Sequence, residues 1–260
     1  MRIDTRSYDP ALLEAPATPL GMFCGFVRLD RSNFICVAAR PGMGKTSFSL
    51  YMALEFAKKS KKAAYILSLD LTAEEVYQRL ICTLVGVDAL HIRQGTLNET
   101  ERVKVQQGIE QLKELDILID DQRASCCREI EERVSSIPNL GMLVIDDGRS
   151  LLPLLDDTDV PHQLRRIAER RCIPVIFGCT LPRALEKRRN KRPRLIDLSK
   201  VTAMQNEADT ILFLYREGYY NPRSKGDMTD IILAKNSFGA TATIAIPWHR
   251  LSGTFYRGEG

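Results

Sequence analysis

The segment Arg40-Pro41-Gly42-Met43-Gly44-Lys45-Thr46-Ser47 brings together the residue types that hold a nucleoside triphosphate. Its glycines let the backbone turn tightly, so that successive N–H groups point at phosphate oxygens. Lys45 then reaches the β- and γ-phosphates, and the Thr46 hydroxyl is placed to ligate Mg²⁺. The general pattern G-x-x-x-x-G-K-[ST] has glycine where this chain has Ala39. The surroundings are those a phosphate loop needs. An apolar run, Phe34 to Val37, precedes the loop, and a helix-like segment, Ser47 to Lys59, follows it with a partly positive N-terminus. The plainer alternative is a glycine turn before an amphipathic helix. The joint presence of Gly-Lys-Thr, upstream strand and downstream helix favours a nucleoside triphosphate with Mg²⁺.

Two acids close apolar runs. Asp146 follows Met142-Leu143-Val144-Ile145 and suits the carboxylate that helps hold Mg²⁺; its alternative is a cap for the next helix. Asp70 follows Ala64–Ser68 and could orient or deprotonate an attacking water, or serve as a loop acid or helix N-cap. A third feature is basic. Arg183, Lys187, Arg188, Arg189, Lys191, Arg192 and Arg194 surround a single acid, Glu186. The segment therefore carries +6 of a chain whose net charge is +4, leaving −2 elsewhere. Such a run is either a solvated loop or a track for a polyanion, with nucleic-acid phosphates as the natural partner. No aromatic residue interleaves it, so contact without base stacking is expected.

The elements that must position these groups alternate. Short strands are expected at 34–37, 64–68, 117–119, 142–146 and 174–177, separated by helices at 47–59, 72–85, 99–115, 128–137 and 163–171. That order predicts an α/β fold: a mainly parallel sheet with helices on both faces. The β-like segments 210–214, 229–234 and 241–246 are expected to add an antiparallel edge. In such a sheet ligands sit beyond the carboxyl ends of the strands, which would bring Asp70 and Asp146 to the phosphate loop. At 260 residues, 44% hydrophobic and 27% charged, the composition is that of a globular protein with no membrane span. Seven cysteines without a C-x-x-C pair fit reduced thiols in the cytoplasm, and the early acids Asp4, Asp9 and Glu14 argue against a secretion signal.

Taken together these segments resemble the ATPase domain of DnaB-type replicative DNA helicases, from about Gly21 to Tyr256. The resemblance is carried by VAARPGMGKT (37–46), ILSLDLTAEEVYQRL (66–80), LVIDD (143–147), PVIFGCTLPRALEKRRNKRPRLIDL (174–198), QNEADTILFLYRE (205–217) and DIILAKNSFG (230–239). The family often has alanine at the Ala39 position. The resemblance implies a RecA-like P-loop fold over 21–260 behind a short arm, 1–20. It further implies ring assembly with nucleotide between subunits and single-stranded DNA in the channel. Lys45, Thr46 and Asp146 keep their roles under it. Lys235 matches the lysine that approaches a neighbour's γ-phosphate, and Arg216, with Tyr219 and Tyr220, falls where the family often contacts nucleotide.

The departures fall on catalytic and coupling positions. The family's glutamate in S-L-E-M is Asp70, and the glutamine of S-Q-L-N-R is Thr180. The trans-acting arginine of K-Q-R-N-G is Ser237. The channel segment L-R-E-S-G becomes Leu198-Ser199-Lys200-Val201-Thr202, whose Lys200 joins the candidate DNA contacts. The Y-L-Q-L-M after the Walker B aspartate becomes Asp147-Gly148-Arg149-Ser150-Leu151. An arginine finger is worth roughly 10³–10⁵ in rate, so attenuated hydrolysis is expected. Two readings stay open: an ATP-driven motor on single-stranded DNA, or a non-hydrolysing nucleotide-binding accessory that loads or regulates a replicative helicase. The helicase counterparts of Arg192-Pro193 and Gln205 to Asp209 fit better than those of a recombination ATPase.

Overall fold

Every residue of strand β1 (Asn33–Ala39) is buried, and its side chains alternate between two cores. Phe34, Cys36 and Ala38 point to one side of the sheet; Ile35, Val37 and Ala39 point to the other. A strand covered on both faces reads as a continuous apolar run and belongs in the middle of a parallel sheet. In the computed structural model, which describes residues 27–124, 126–148, 159–221 and 227–255, β1 lies there. The expected arm at 1–20 lies outside the described residues.

The remaining elements follow in order: helix α1 (Lys45–Ser60), β2 (Ala63–Ser68), α2 (Ala73–Val85), α3 (Ala89–Gln94), α4 (Glu99–Lys113), β3 (Ile117–Asp120), α5 (Cys127–Ser135) and β4 (Leu140–Asp146). After them come α6 (Asp159–Arg171), β5 (Pro174–Thr180), two 3₁₀ turns (Arg183–Lys187 and Leu195–Val201), α7 (Thr202–Glu207), β6 (Thr210–Tyr215), α8 (Glu217–Tyr220), β7 (Met228–Asn236), β8 (Ala242–His249) and β9 (Thr254–Phe255). Among the described residues nine strands lie in the order β3-β2-β4-β5-β1-β6-β7-β8-β9. From β3 to β6 they are parallel; β7, β8 and β9 extend the sheet antiparallel. The α/β class, the parallel centre and the antiparallel edge are those the sequence predicts.

Helices α1, α2 and α4 cover one face and α5 and α6 the other. Helix α1 is buried from Ser47 to Ala57, enclosed between the sheet, α2 and β9. That enclosure explains why its apolar residues run all round instead of forming a stripe. Helix α2 starts at a capping box in which Thr72 accepts from the Glu75 backbone N–H and Glu75 accepts from that of Thr72. Phe255 of β9 packs edge-on against Phe48 of α1 (5.4 Å) and Trp248 of β8 (5.0 Å), which fixes the indole beside the start of α1.

Candidate functional site

Between β1 and α1 the chain turns through Gly42 (φ 80°) and Gly44 (φ 96°), both left-handed. Close approach adds a second constraint. A Cβ on Gly44 would stand 2.7 Å from Trp248 Cζ3, and one on Gly42 would stand 3.0 Å from Tyr219 Cε2. Gly44 caps α1 without a side-chain hydrogen bond, and no acid occupies the first turn. The leading N–H groups of a sixteen-residue helix therefore have neither a side-chain cap nor a competing carboxylate, the arrangement that receives an anion. The loop, Asp70, Arg79, Asp147, Thr180 and Trp248 line a cleft of about 350 Å³, within the usual range for small-molecule sites.

Inside the cleft Lys45 Nζ donates to Thr180 Oγ1 (2.8 Å) and lies 3.5 Å from Asp147 Oδ2. Thr46 Oγ1 donates to Asp146 Oδ1 (3.1 Å). Asp146 is 1% exposed, and its Oδ2 is buried without a hydrogen-bond partner. Burial pushes this carboxyl above the usual carboxylate range, opposed by the Thr46 bond and the Lys45 charge. An orphaned carboxylate oxygen next to a hydroxyl is a donor set that a hard divalent cation would satisfy. The residues present thus fit Mg²⁺.

Asp70 and Asp146 end neighbouring strands: Ser68 pairs with Asp146, and the Leu69 N–H donates to the Asp146 carbonyl. Asp70 lines the cleft and is exposed; Thr72, not Asp70, caps α2. Arg40, Pro41 and Ser47 also line the cleft, whereas the Met43 side chain is buried in the core. Arg40 is tied away from solvent, donating to Glu186 Oε1 (2.9 Å) and the Leu181 carbonyl (2.6 Å). Arg216 donates to the Gly42 carbonyl (2.8 Å) and stacks on Trp248 (4.5 Å), bracing the loop and the indole from behind. Lys235 does not join the cleft. It pairs with Ile211 near the start of β6, toward the opposite end of the sheet, and donates to the carbonyls of Gln205 and Asn206. Burial holds its ammonium below the usual lysine range.

The basic segment divides in two. Arg188 donates to Asp197 Oδ2 (2.8 Å) and to the Arg192 carbonyl; Arg192 pairs with Asp230 and stacks on Tyr215 (5.0 Å). Arg188 ties the two turns to each other, and Arg192 fastens them to β6 and β7. Arg183, Lys187, Arg189 and Arg194 are exposed, with no side-chain ion pair to a described residue. Lys191 stacks on Tyr220 (5.1 Å). No aromatic residue lies within 183–194, but β6 and α8 bring Tyr215 and Tyr220 beside it. Lys200 belongs to the second 3₁₀ turn, and its side chain lies outside the described residues.

Trp248, Arg79 and Gly253 are cleft residues that sequence reading misses. Trp248 is the sole tryptophan of the chain, a signal without a motif around it. Gly253 supplies the carbonyl that accepts from Ser47 Oγ (2.7 Å), a bond across 206 positions that no local pattern announces.

Comparison with known proteins agrees with this geometry. A model of the DnaB-like helicase C terminal domain matches residues 22–257. Replicative DNA helicase DnaC of Bacillus subtilis (strain 168) is 32% identical over 245 residues, covering 87% of this chain and 54% of that protein. Replicative DNA helicase DnaB of Haemophilus influenzae is 29% identical, covering 94% and 56%. Among solved structures, an ATPase domain superposes with a TM-score of 0.81 at 27% identity, covering 88% of this chain and 85% of that one. A DnaB-like replicative helicase superposes with a TM-score of 0.80, also at 27% identity, covering 87% and 57%. The chain spans about half the length of the curated relatives it matches. No helix among the described residues is long and apolar enough to cross a membrane. With the family match extending over nearly its whole length and the RecA-like fold shared, the chain belongs to the DnaB-like helicase C-terminal domain family.

Proposed function

We propose that this chain binds ATP with Mg²⁺ in the cleft at the start of α1 and couples its hydrolysis to single-stranded DNA in replication, acting in the cytoplasm as a homo-oligomer. The observation that carries the reading is the Lys45–Thr46–Asp146 arrangement: a cation and a hydroxyl at a helix N-terminus, facing a buried carboxylate with one oxygen unsatisfied. In this reading Lys45 and the loop N–H groups hold phosphate oxygens, while Thr46 and Asp146 hold Mg²⁺. The metal supplies neutralisation of charge on the transferred phosphoryl group. Trp248 tests the binding step directly, because it is the only tryptophan and its ring lies against Gly44. Titration with magnesium-ATP is expected to change its fluorescence saturably. No change, with ATP also failing to bind by calorimetry, would remove the nucleotide reading.

The second reading, a nucleotide-binding accessory of a replicative helicase, is favoured by Ser237 at the position of the trans-acting arginine and Thr180 at that of the sensing glutamine. Turnover at the background level, with binding intact, would select it.

For DNA, the division of the basic segment gives a sharper expectation than its charge does. Replacing Arg183, Lys187, Arg189 and Arg194 by glutamine is expected to weaken single-stranded DNA binding uniformly across sequences. The salt dependence should flatten by about 0.7 in log–log slope for each phosphate no longer neutralised. Arg188→Gln, in contrast, is expected to lower stability by removing the partner of Asp197. An unchanged slope in the quadruple variant would return those four side chains to an ordinary solvated surface.

A further inference from the structure

Apart from Asp146, two carboxylates reach the cleft, and they are held differently. Asp70 is exposed and makes no hydrogen bond or ion pair with a described residue. Asp147 is 7% exposed and lies 3.5 Å from Lys45 Nζ. Its backbone explains how it gets there. On β4, Val144 packs toward α1 and Ile145 toward α6, so an extended residue 147 would face α6. Instead φ at Asp147 is 51°, a left-handed conformation that an L-residue adopts only at a cost. Gly178 of β5 makes room for that turn, since a Cβ there would stand 3.0 Å from the Asp147 backbone N and 3.5 Å from Lys45 Cδ. The strained turn redirects a carboxylate from the far face of the sheet into the phosphate cleft.

We propose that Asp147 is a catalytic carboxylate that orients the water attacking the γ-phosphate, in place of the exposed Asp70, which no described residue holds in position. The proposal rests on the cleft being a nucleoside triphosphate site. Lys45 is the counter-ion of Asp147. A bound triphosphate, with its larger negative charge, draws Lys45 away and leaves the carboxylate facing the terminal phosphate. Asp147 then accepts a hydrogen bond from water. The water oxygen forms a bond to the γ-phosphorus as the bond to the β–γ bridging oxygen breaks. The electron pair leaves with the nucleoside diphosphate, and the water proton passes through the carboxylate to the phosphate product.

Asp147→Asn and Asp70→Asn separate the two carboxylates. Affinity is read by Trp248 fluorescence with magnesium-ATP, and turnover with single-stranded DNA over a range of protein concentrations. Asp147→Asn is expected to lower turnover about 100-fold or more and to raise affinity several-fold, because Lys45 loses its competing partner. A merely structural aspartate would lower affinity instead. Asp70→Asn is expected to cost turnover less than about tenfold. Equal or deeper loss in Asp70→Asn, or undiminished turnover in Asp147→Asn, would overturn the proposal. So would a wild-type chain that binds ATP without turnover above Lys45→Ala, an outcome that leaves the nucleotide site standing. Absence of binding in the wild type would overturn both.

Discussion

Lys45→Ala is expected to reduce magnesium-ATP affinity by at least about 100-fold, measured by calorimetry. Part of this is the missing bond: a charge-assisted hydrogen bond to phosphate contributes about 1.5–3 kcal/mol, and each 1.4 kcal/mol is a factor of ten. The other part is what remains. Lys45 faces Asp147 at 3.5 Å and lies close enough to Asp146 to hold its carboxyl down against the effect of burial. Without the ammonium, the Asp147 carboxylate in the cleft wall and the buried Asp146 carboxylate behind it present a triphosphate with like charge. Removing one partner of such a pair leaves the other charge uncompensated, so the cleft repels the triphosphate that it otherwise attracts. Lys45→Ala/Asp147→Asn should therefore recover part of the binding that Lys45→Ala loses. Retained affinity in Lys45→Ala would sink the phosphate-loop assignment altogether.

Much of this cleft is legible in the sequence because its residues are local or sit at strand ends. The loop from Arg40 to Ser47 is one contiguous motif, and Asp70 and Asp146 are placed by the rule that ligands lie beyond the carboxyl ends of parallel strands. The central strands are legible for the same reason they are buried: covered on both faces, β1 and β4 read as unbroken apolar runs. What is not legible comes from far along the chain. Trp248 reaches Gly44 only because β8 is added antiparallel beyond β6 and β7, and β9 then seats Phe255 between the indole and α1. The short helices α3, α7 and α8, of four to six residues, carry too little periodicity to announce themselves. The basic segment shows the limit of counting charges. Seven cations look alike in sequence, yet Arg188 and Arg192 are committed to Asp197 and Asp230, which only the folded chain brings near. Asp147 shows it for conformation, because an alternating strand would have pointed it away from the site it enters.

The residues that depart from the family pattern do not all lie in the same cleft. Asp70, Asp147 and Thr180 line the cleft at the phosphate loop; Ser237 lies toward the other end of the sheet, beside Asp209. In the proposed oligomer a change at the cleft would act within one subunit. A change at Ser237 would act only where a neighbour is present, through a head-to-tail contact that brings one chain's β7–β8 turn to the next chain's phosphate loop.

Ser237→Arg is accordingly expected to raise ATP turnover by up to about 10³-fold, and only at protein concentrations where the chains associate. The turn that carries Ser237 is a firm support for such a group: its N–H donates to the Asp209 carbonyl (2.9 Å), and the Phe238 N–H donates to Asn236 Oδ1 (3.1 Å). The Ser237 side chain is exposed, so an arginine there would be held at its base and unencumbered at its tip. Within the chain the Lys235 ammonium is engaged by the carbonyls of Gln205 and Asn206 and is partly desolvated, so an arginine at 237 would add a second cation that is not so engaged. Ser237→Lys should give a smaller gain than Ser237→Arg, since a point charge lacks the planar fork that spans two phosphate oxygens. The measurement is hydrolysis rate per subunit against protein concentration, with sedimentation velocity on the same samples. A gain that appears only with assembly would place this edge against a neighbour's nucleotide. A gain independent of concentration, or none in chains that do assemble, would show that the subunits meet through a different surface and that Ser237 faces solvent in the assembled protein.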